Sequence, residues 1–168
     1  MMVVALTVFL GFLFVRSHVA LGKAPCPYKI SSTKAAAILD IKPTDLGVRS
    51  FPQMVSPDDT KNKTYKVPPC SYGYRSKSNF RKAFSYVVYT YNDPQRARRD
   101  YTTMKGNFST AAKVEELSGL GDAAFWVNDS RFPRLVAVKG NVLIDVKNPR
   151  DAKLRKQVAA LVLEVLGK

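Results

Sequence analysis

Apolar residues follow two different periods along this chain. Residues 83–91 alternate strictly, with Phe84, Tyr86, Val88 and Thr90 pointing one way and Ser85, Val87, Tyr89 and Tyr91 the other. Both sets are largely apolar or aromatic, which predicts a central strand covered on at least one face. Residues 114–147 hold three further strand candidates, 123–127, 135–138 and 142–146. The last two meet at Gly140-Asn141, a dipeptide suited to a primed two-residue hairpin turn. Ser118, Gly119 and Gly121 form a tight approach to the first of them. Residues 70–75 begin another strand. Residues 48–54 read as an edge strand, because Pro52 cannot donate to a ladder.

Helical spacing occupies three other places. Ser31-Ser32-Thr33 precedes an alanine run, and hydroxyl caps with good helix formers predict a helix over about residues 33–41, ended by Pro43. Asp93-Pro94 supplies an N-cap and a first-turn proline. Ala97, Tyr101 and Met104 then recur on one helical face, and Gly106 marks the stop. Arg96, Arg98 and Arg99 fall mostly off that face. Asn148-Pro149 repeats the device before a last helix with Leu154, Val158, Leu161, Val162, Val165 and Leu166 on one stripe, ending at Gly167. Residues 42–64 are polar and proline-punctuated, with a mobile loop expected over 58–64. The order helix, strands, helix, strands, helix predicts an α+β fold: an antiparallel β-sheet with helices packed on one face.

The first 22 residues stand apart. Residues 1–15 are apolar except for Thr7 and Gly11, too short a run for a membrane span of about 20 residues. With Ala20-Leu21-Gly22 after it, the segment reads as a signal peptide cleaved after Gly22, the alternative being an uncleaved anchor. Residues 23–168 would then form a single domain, periplasmic or secreted. Cys26 and Cys70 are the only cysteines. In an exported chain an even pair reads as one disulfide, the alternative being two buried thiols.

Composition narrows the chemistry. The only histidine, His18, lies in the predicted signal peptide. Without it the mature chain has no Ser-His-Asp triad, Cys-His pair or His-ligated metal. Ser31 and Lys34 have an S-x-x-K spacing, but a helix cap is the simpler role for Ser31. Ser76-Lys77-Ser78 offers similar residue types. Glu115 and Glu116 are adjacent and diverge on any regular element. Asp122 reads as a turn residue. Gly119-Leu120-Gly121 lacks the third glycine and preceding strand of a dinucleotide site. We therefore expect no enzyme, no metal and no cofactor.

Charge gives the positive signal. The net charge is +14, from 27 basic and 13 acidic residues. Between residues 61 and 105 eleven basic residues face only Asp93 and Asp100. Arg75, Lys77, Arg81, Lys82, Arg96, Arg98, Arg99 and Lys105 belong to this run, with tyrosines interleaved. The expectation is a basic surface for an anionic envelope polymer, an anionic membrane surface or another exported protein, set against the plainer reading of a solvated basic face whose tyrosines belong to the core. The alternative is a small hydrophobic-ligand carrier with a groove near Phe125 and Trp126.

Several short motifs together resemble a family of small exported bacterial proteins of unknown function that includes actinobacterial lipoproteins. They are Cys26-Pro27 before the alanine-rich helix, Pro69-Cys70-Ser71-Tyr72, Gly119-Leu120-Gly121-Asp122-Ala123, and the closing hairpin of residues 135–146. The chain departs from the lipoprotein members in lacking a lipid-attachment motif at Cys26. The resemblance implies export and this fold, and brings no catalytic residues with it.

Overall fold

A computed structural model describes residues 26–148 and 152–167. The predicted signal peptide lies outside the described residues. Among them are four helices, α1 (Ser32–Leu39), α2 (Pro57–Lys61), α3 (Pro94–Ser109) and α4 (Ala152–Gly167). The strands are β1 (Leu46–Pro52), β2 (Tyr65–Ser76), β3 (Ala83–Tyr91), β4 (Lys113–Leu117), β5 (Ala123–Asn128), β6 (Arg134–Lys139) and β7 (Val142–Lys147). No helix among the described residues is long and apolar enough to cross a membrane.

All seven strands join one sheet in the order β1-β2-β3-β7-β6-β5-β4, and every pairing is antiparallel. Two meanders, β1 to β3 and β4 to β7, thus meet side by side at β3 and β7. The α+β class and antiparallel sheet are those the sequence predicts. The helices, however, divide between the two faces. Alternation along β5 sends Trp126 toward a core built with α1 and α4, and Phe125 and Val127 toward a second core built with α3. Both faces of β5, β6 and β7 are apolar, so each needs a cover, and helices on a single face leave one exposed.

The caps of α1 and α3 are those the residues favour, while the predicted Asn148-Pro149 start of the last helix extends outside the described residues. The Ser31 hydroxyl accepts from the Lys34 amide at 3.2 Å, and Asp40 ends α1 in the left-handed conformation (φ 53°). Asp93 caps α3 through the Gln95 amide at 2.8 Å. α3 runs past Gly106 to Ser109, because Phe108 packs against Phe125 at 6.2 Å between ring centroids.

Most of α2 falls within the expected loop at residues 58–64. Ser56 accepts from the Asp59 amide and donates to its carboxylate at 2.7 Å, a reciprocal cap ahead of Pro57. β2 begins at Tyr65, ahead of the expected residue 70. It accommodates Pro68 and Pro69 where its register with β3 shifts between Val67 and Cys70. β4, which the sequence pattern does not reveal, is an edge strand. Its Glu115 pairs with Arg155 at 3.1 Å, and its Glu116 pairs with Lys105 of α3.

Cys26 and Cys70 form a disulfide, fastening the first described residue to β2. The same N-terminal segment is pinned by buried phenols. Tyr86 donates to the Tyr28 carbonyl at 2.7 Å, and Tyr74 donates to the Ile30 carbonyl at 3.3 Å. Burial in this cluster pushes the Tyr72 hydroxyl up to about 12 and the Tyr74 and Tyr86 hydroxyls upward as well. The β6–β7 turn takes Gly140 at φ 53°. Asp122 braces it by accepting from the Gly140 amide at 2.7 Å. Gly121 is required by space: a Cβ there would lie 2.5 Å from the Val138 carbonyl oxygen.

Candidate functional site

The eight basic residues singled out in the sequence do not form one surface. β3 runs the length of the sheet from the β2–β3 turn to the start of α3. Nine residues at about 3.3 Å each separate its ends by roughly 30 Å. Arg75, Lys77, Arg81 and Lys82 lie at the turn end. Arg96, Arg98 and Arg99 lie in the first turns of α3, at the opposite end. Several of these charges are also matched locally. Arg96 pairs with Asp100 at 3.3 Å, Arg99 approaches Asp93 at 4.0 Å, and Lys105 pairs with Glu116.

Phe125 and Trp126 do not line a common groove either. They point to opposite faces of β5 and are 0% and 4% exposed. The Arg155 guanidinium covers the Trp126 ring at 4.3 Å. Ser31 is held as a cap, and Lys34 pairs with Glu164 of α4.

The most distinctive open site comes from the topology. α3 packs over β3, β4, β6 and β7, and leaves the same face of β1 and β2 uncovered. Cross-strand pairing fixes what stands there. Arg49 is opposite Gly73, Gly73 is opposite Ser85, and Ser85 is opposite Lys147. In the next row Gly47 is opposite Arg75. Direct partners share a face, so two glycines and a serine form a low floor between cations. A Cβ added at Gly73 would meet nothing within 4 Å. The resulting cleft has a volume of about 420 Å³, lined by Gly47, Arg49, Gly73, Arg75, Lys77, Ser85 and Asn148 among others.

Arg49 and Arg75 are exposed, and neither has an acidic partner among the described residues. Lys77 donates to the Thr44 carbonyl at 3.0 Å, which fixes its stem beside the cleft. Lys147 sits 3.8 Å from Asp145, whose other neighbour is Arg134 at 3.3 Å. Burial pushes the Asp145 carboxyl up, and the two cations pull it partly back. Two positive charges therefore share one buried carboxylate on the strands beyond Ser85, next to the cleft. Across four strands spaced about 4.8 Å apart, Arg49 and Lys147 bracket a span of about 14 Å. Forked guanidiniums over a glycine floor suit oxyanions that can approach the backbone closely. Arg49 lay outside the run of residues 61–105, so charge counting alone passed over it; its place opposite Gly73 depends on strand register.

A second cleft, of about 700 Å³, lies beyond the end of β1 and is lined by Pro52, Met54, Val55, Tyr65 and Pro68 together with Asp59, Lys63 and Lys66. Among the described residues there is no cluster of three or more His, Cys, Asp or Glu placed to hold a metal.

No family model matches the chain, and no curated protein matches it. Solved structures do. The extracellular domain of PknH from Mycobacterium tuberculosis matches with a TM-score of 0.56 at 13% identity, over 82% of this chain and 92% of that one. A GTP binding regulator from Thermotoga maritima gives a TM-score of 0.47 at 12% identity, over 83% and 90% of the two chains. At such identities the likeness to the PknH domain speaks for a shared fold.

Proposed function

We propose that this chain is an exported, non-enzymatic binding domain whose basic cleft over β1 and β2 takes an anionic segment of an envelope polymer. The observation that carries the reading is the row Arg49–Gly73–Ser85–Lys147 with Arg75 beside it: a sheet face left without a helix, floored by residues that lack bulk, and edged by cations without full partners. A bare sheet face kept for packing would carry apolar side chains. Export is supported by the N-terminal apolar segment, by the disulfide, by the resemblance to small exported bacterial proteins, and by a fold shared with a domain described as extracellular.

Inorganic polyphosphate is a suitable probe. The purified protein is expected to bind it at low salt. Affinity should fall at least tenfold between about 50 and 200 mM salt, as counterion release requires. The double variant Arg49→Glu/Arg75→Glu should lose at least about tenfold, and Arg96→Glu/Arg98→Glu/Arg99→Glu less than about threefold. Binding that tracks the α3 arginines and ignores Arg49 and Arg75 refutes the cleft, and no binding at low salt refutes the whole reading.

A further inference from the structure

The end of the sheet that carries the β2–β3 turn holds a feature that the cleft does not use. Phe80 stands at the tip of that turn and is 80% exposed, and Phe132 stands in the β5–β6 loop and is 66% exposed. The pairing Ser85–Lys147–Arg134–Val127 puts both loops at the same end of the sheet. The β2–β3 and β5–β6 connections are three strand spacings apart, or about 14 Å.

Neither loop is loose. In the first, the Asp45 carboxylate accepts from the Ser76 hydroxyl at 2.5 Å, from the Ser78 amide at 3.0 Å and from the Ser78 hydroxyl at 3.0 Å. Asn79 then accepts from the Arg81 amide at 3.1 Å. In the second, Asp129 accepts from the amides of Arg131 and Phe132 at 2.6 and 3.1 Å. Polar side chains thus turn the backbone tightly and hold each ring out in water, where a phenyl group is least stable.

Each ring has an arginine next to it in the chain, Arg81 after Phe80 and Arg131 before Phe132, whereas Lys82 turns back to Asp40 and Arg134 to the buried Asp145. Neither Arg81 nor Arg131 forms a salt bridge among the described residues, although Arg131 lies close enough to Asp129 to help lower its carboxyl, and the Arg131 guanidinium lies 6.0 Å from the Phe132 ring centroid. A protein-binding patch would gather apolar residues into one contiguous area. Here two isolated rings, each with an adjoining arginine and set apart on one edge, match a surface that is apolar beneath and anionic on top.

We infer that this end of the sheet docks on an anionic lipid bilayer, with Phe80 and Phe132 inserting at the headgroup level and Arg81 and Arg131 contacting lipid phosphates. The cleft opens near the same end through Lys77 and Asn148, so a docked domain would hold it beside the membrane surface.

Vesicle co-sedimentation tests the inference. The purified protein should pellet with phosphatidylcholine vesicles containing about one quarter phosphatidylglycerol, and remain in solution with phosphatidylcholine alone. Phe80→Ala/Phe132→Ala should weaken partitioning at least about tenfold, with circular dichroism unchanged. Arg81→Glu/Arg131→Glu should weaken it by a similar or larger factor. In a Phe80→Trp variant the new tryptophan should shift to the blue on anionic vesicles and be quenched by brominated acyl chains, while the buried Trp126 is not. The inference is overturned by equal binding to neutral vesicles or by no binding to anionic ones. It is also overturned if Arg49→Glu/Arg75→Glu removes vesicle binding and the phenylalanine variants keep it, since the cleft then acts alone. A dimer that Phe80→Ala/Phe132→Ala dissociates would assign the rings to a second copy instead.

Discussion

β5, β6 and β7 bury four consecutive residues each, whereas β1 exposes most of its length and β2 alternates along its second half. The two halves of the sheet share one hydrogen-bonded ladder, yet they dispose of their side chains differently. The β5–β7 half is largely apolar and covered on both faces. The β1–β3 half packs one face densely with Tyr72, Tyr74, Tyr86 and Phe84; on the other face β3 still buries Val87 and Tyr91, while β1 and β2 present Gly47, Arg49, Gly73 and Arg75, with the exposed Phe51 farther along. Stacked rings on one side, with Tyr72 and Tyr86 4.7 Å apart, supply stability that the other side need not. The lesson is that a half-covered sheet can keep an open face when its covered face is aromatic and its edge is fastened by a disulfide.

The contrast can be broken by changing residues on the α3 side in each half. Leu143 is fully buried there, and Leu143→Ala is expected to cost about 2–5 kcal/mol by chemical denaturation. Gly73 lies on the same side and faces open space, so Gly73→Val should alter stability by less than about 1 kcal/mol while obstructing polyphosphate binding. A large loss of stability from Gly73→Val would mean that the face is covered after all.

The disulfide sharpens the comparison next. It closes a separation of 44 residues, so Cys26→Ser/Cys70→Ser should lose roughly 3–4 kcal/mol in the chain-entropy model. Hydrogen exchange should then rise first in β1 and β2, with β5–β7 protected to the last.

The smallest effect is alkaline. Seven of the eight tyrosines have hydroxyls raised above the ordinary value, with burial the leading cause. An acid raised in the folded state stays neutral there while the unfolded chain ionises near about pH 10. Stability is therefore retained below about pH 10 and falls as the pH rises through the raised values. Tyrosinate absorbance should appear together with loss of β2–β3 protection. A smooth non-cooperative titration, with protection intact, would contradict the packed-phenol account.

Local chemistry was legible wherever it was strong. Ser31, Asp93 and Gly140 mark caps and a turn by their side chains or lack of one, and the alternation of residues 83–91 marks a strand at the middle of the sheet. The weak places were those where a short signal competed with its surroundings. Ser56-Pro57-Asp58-Asp59 is a sound helix start hidden in a polar stretch, and β4, a lysine followed by Val114, two glutamates and Leu117, is a strand that alternation does not reveal. The basic run of residues 61–105 was real as composition and misleading as a surface, because a strand crosses the sheet in the middle of it.

The sequence by itself determined the class of fold, the pairing partners in the closing hairpin, the apolar faces of α3 and α4, and the excess of positive charge. These depend on residues within a few turns or a few strand positions of one another. Only the tertiary structure decided that α3 lies on the face opposite α1 and α4, that Arg49 comes to stand across from Gly73, and that Phe80 and Phe132 share one end of the sheet. The last two relations join residues 24 and 52 positions apart, and all three follow from ladder register and crossover path, which no local period encodes.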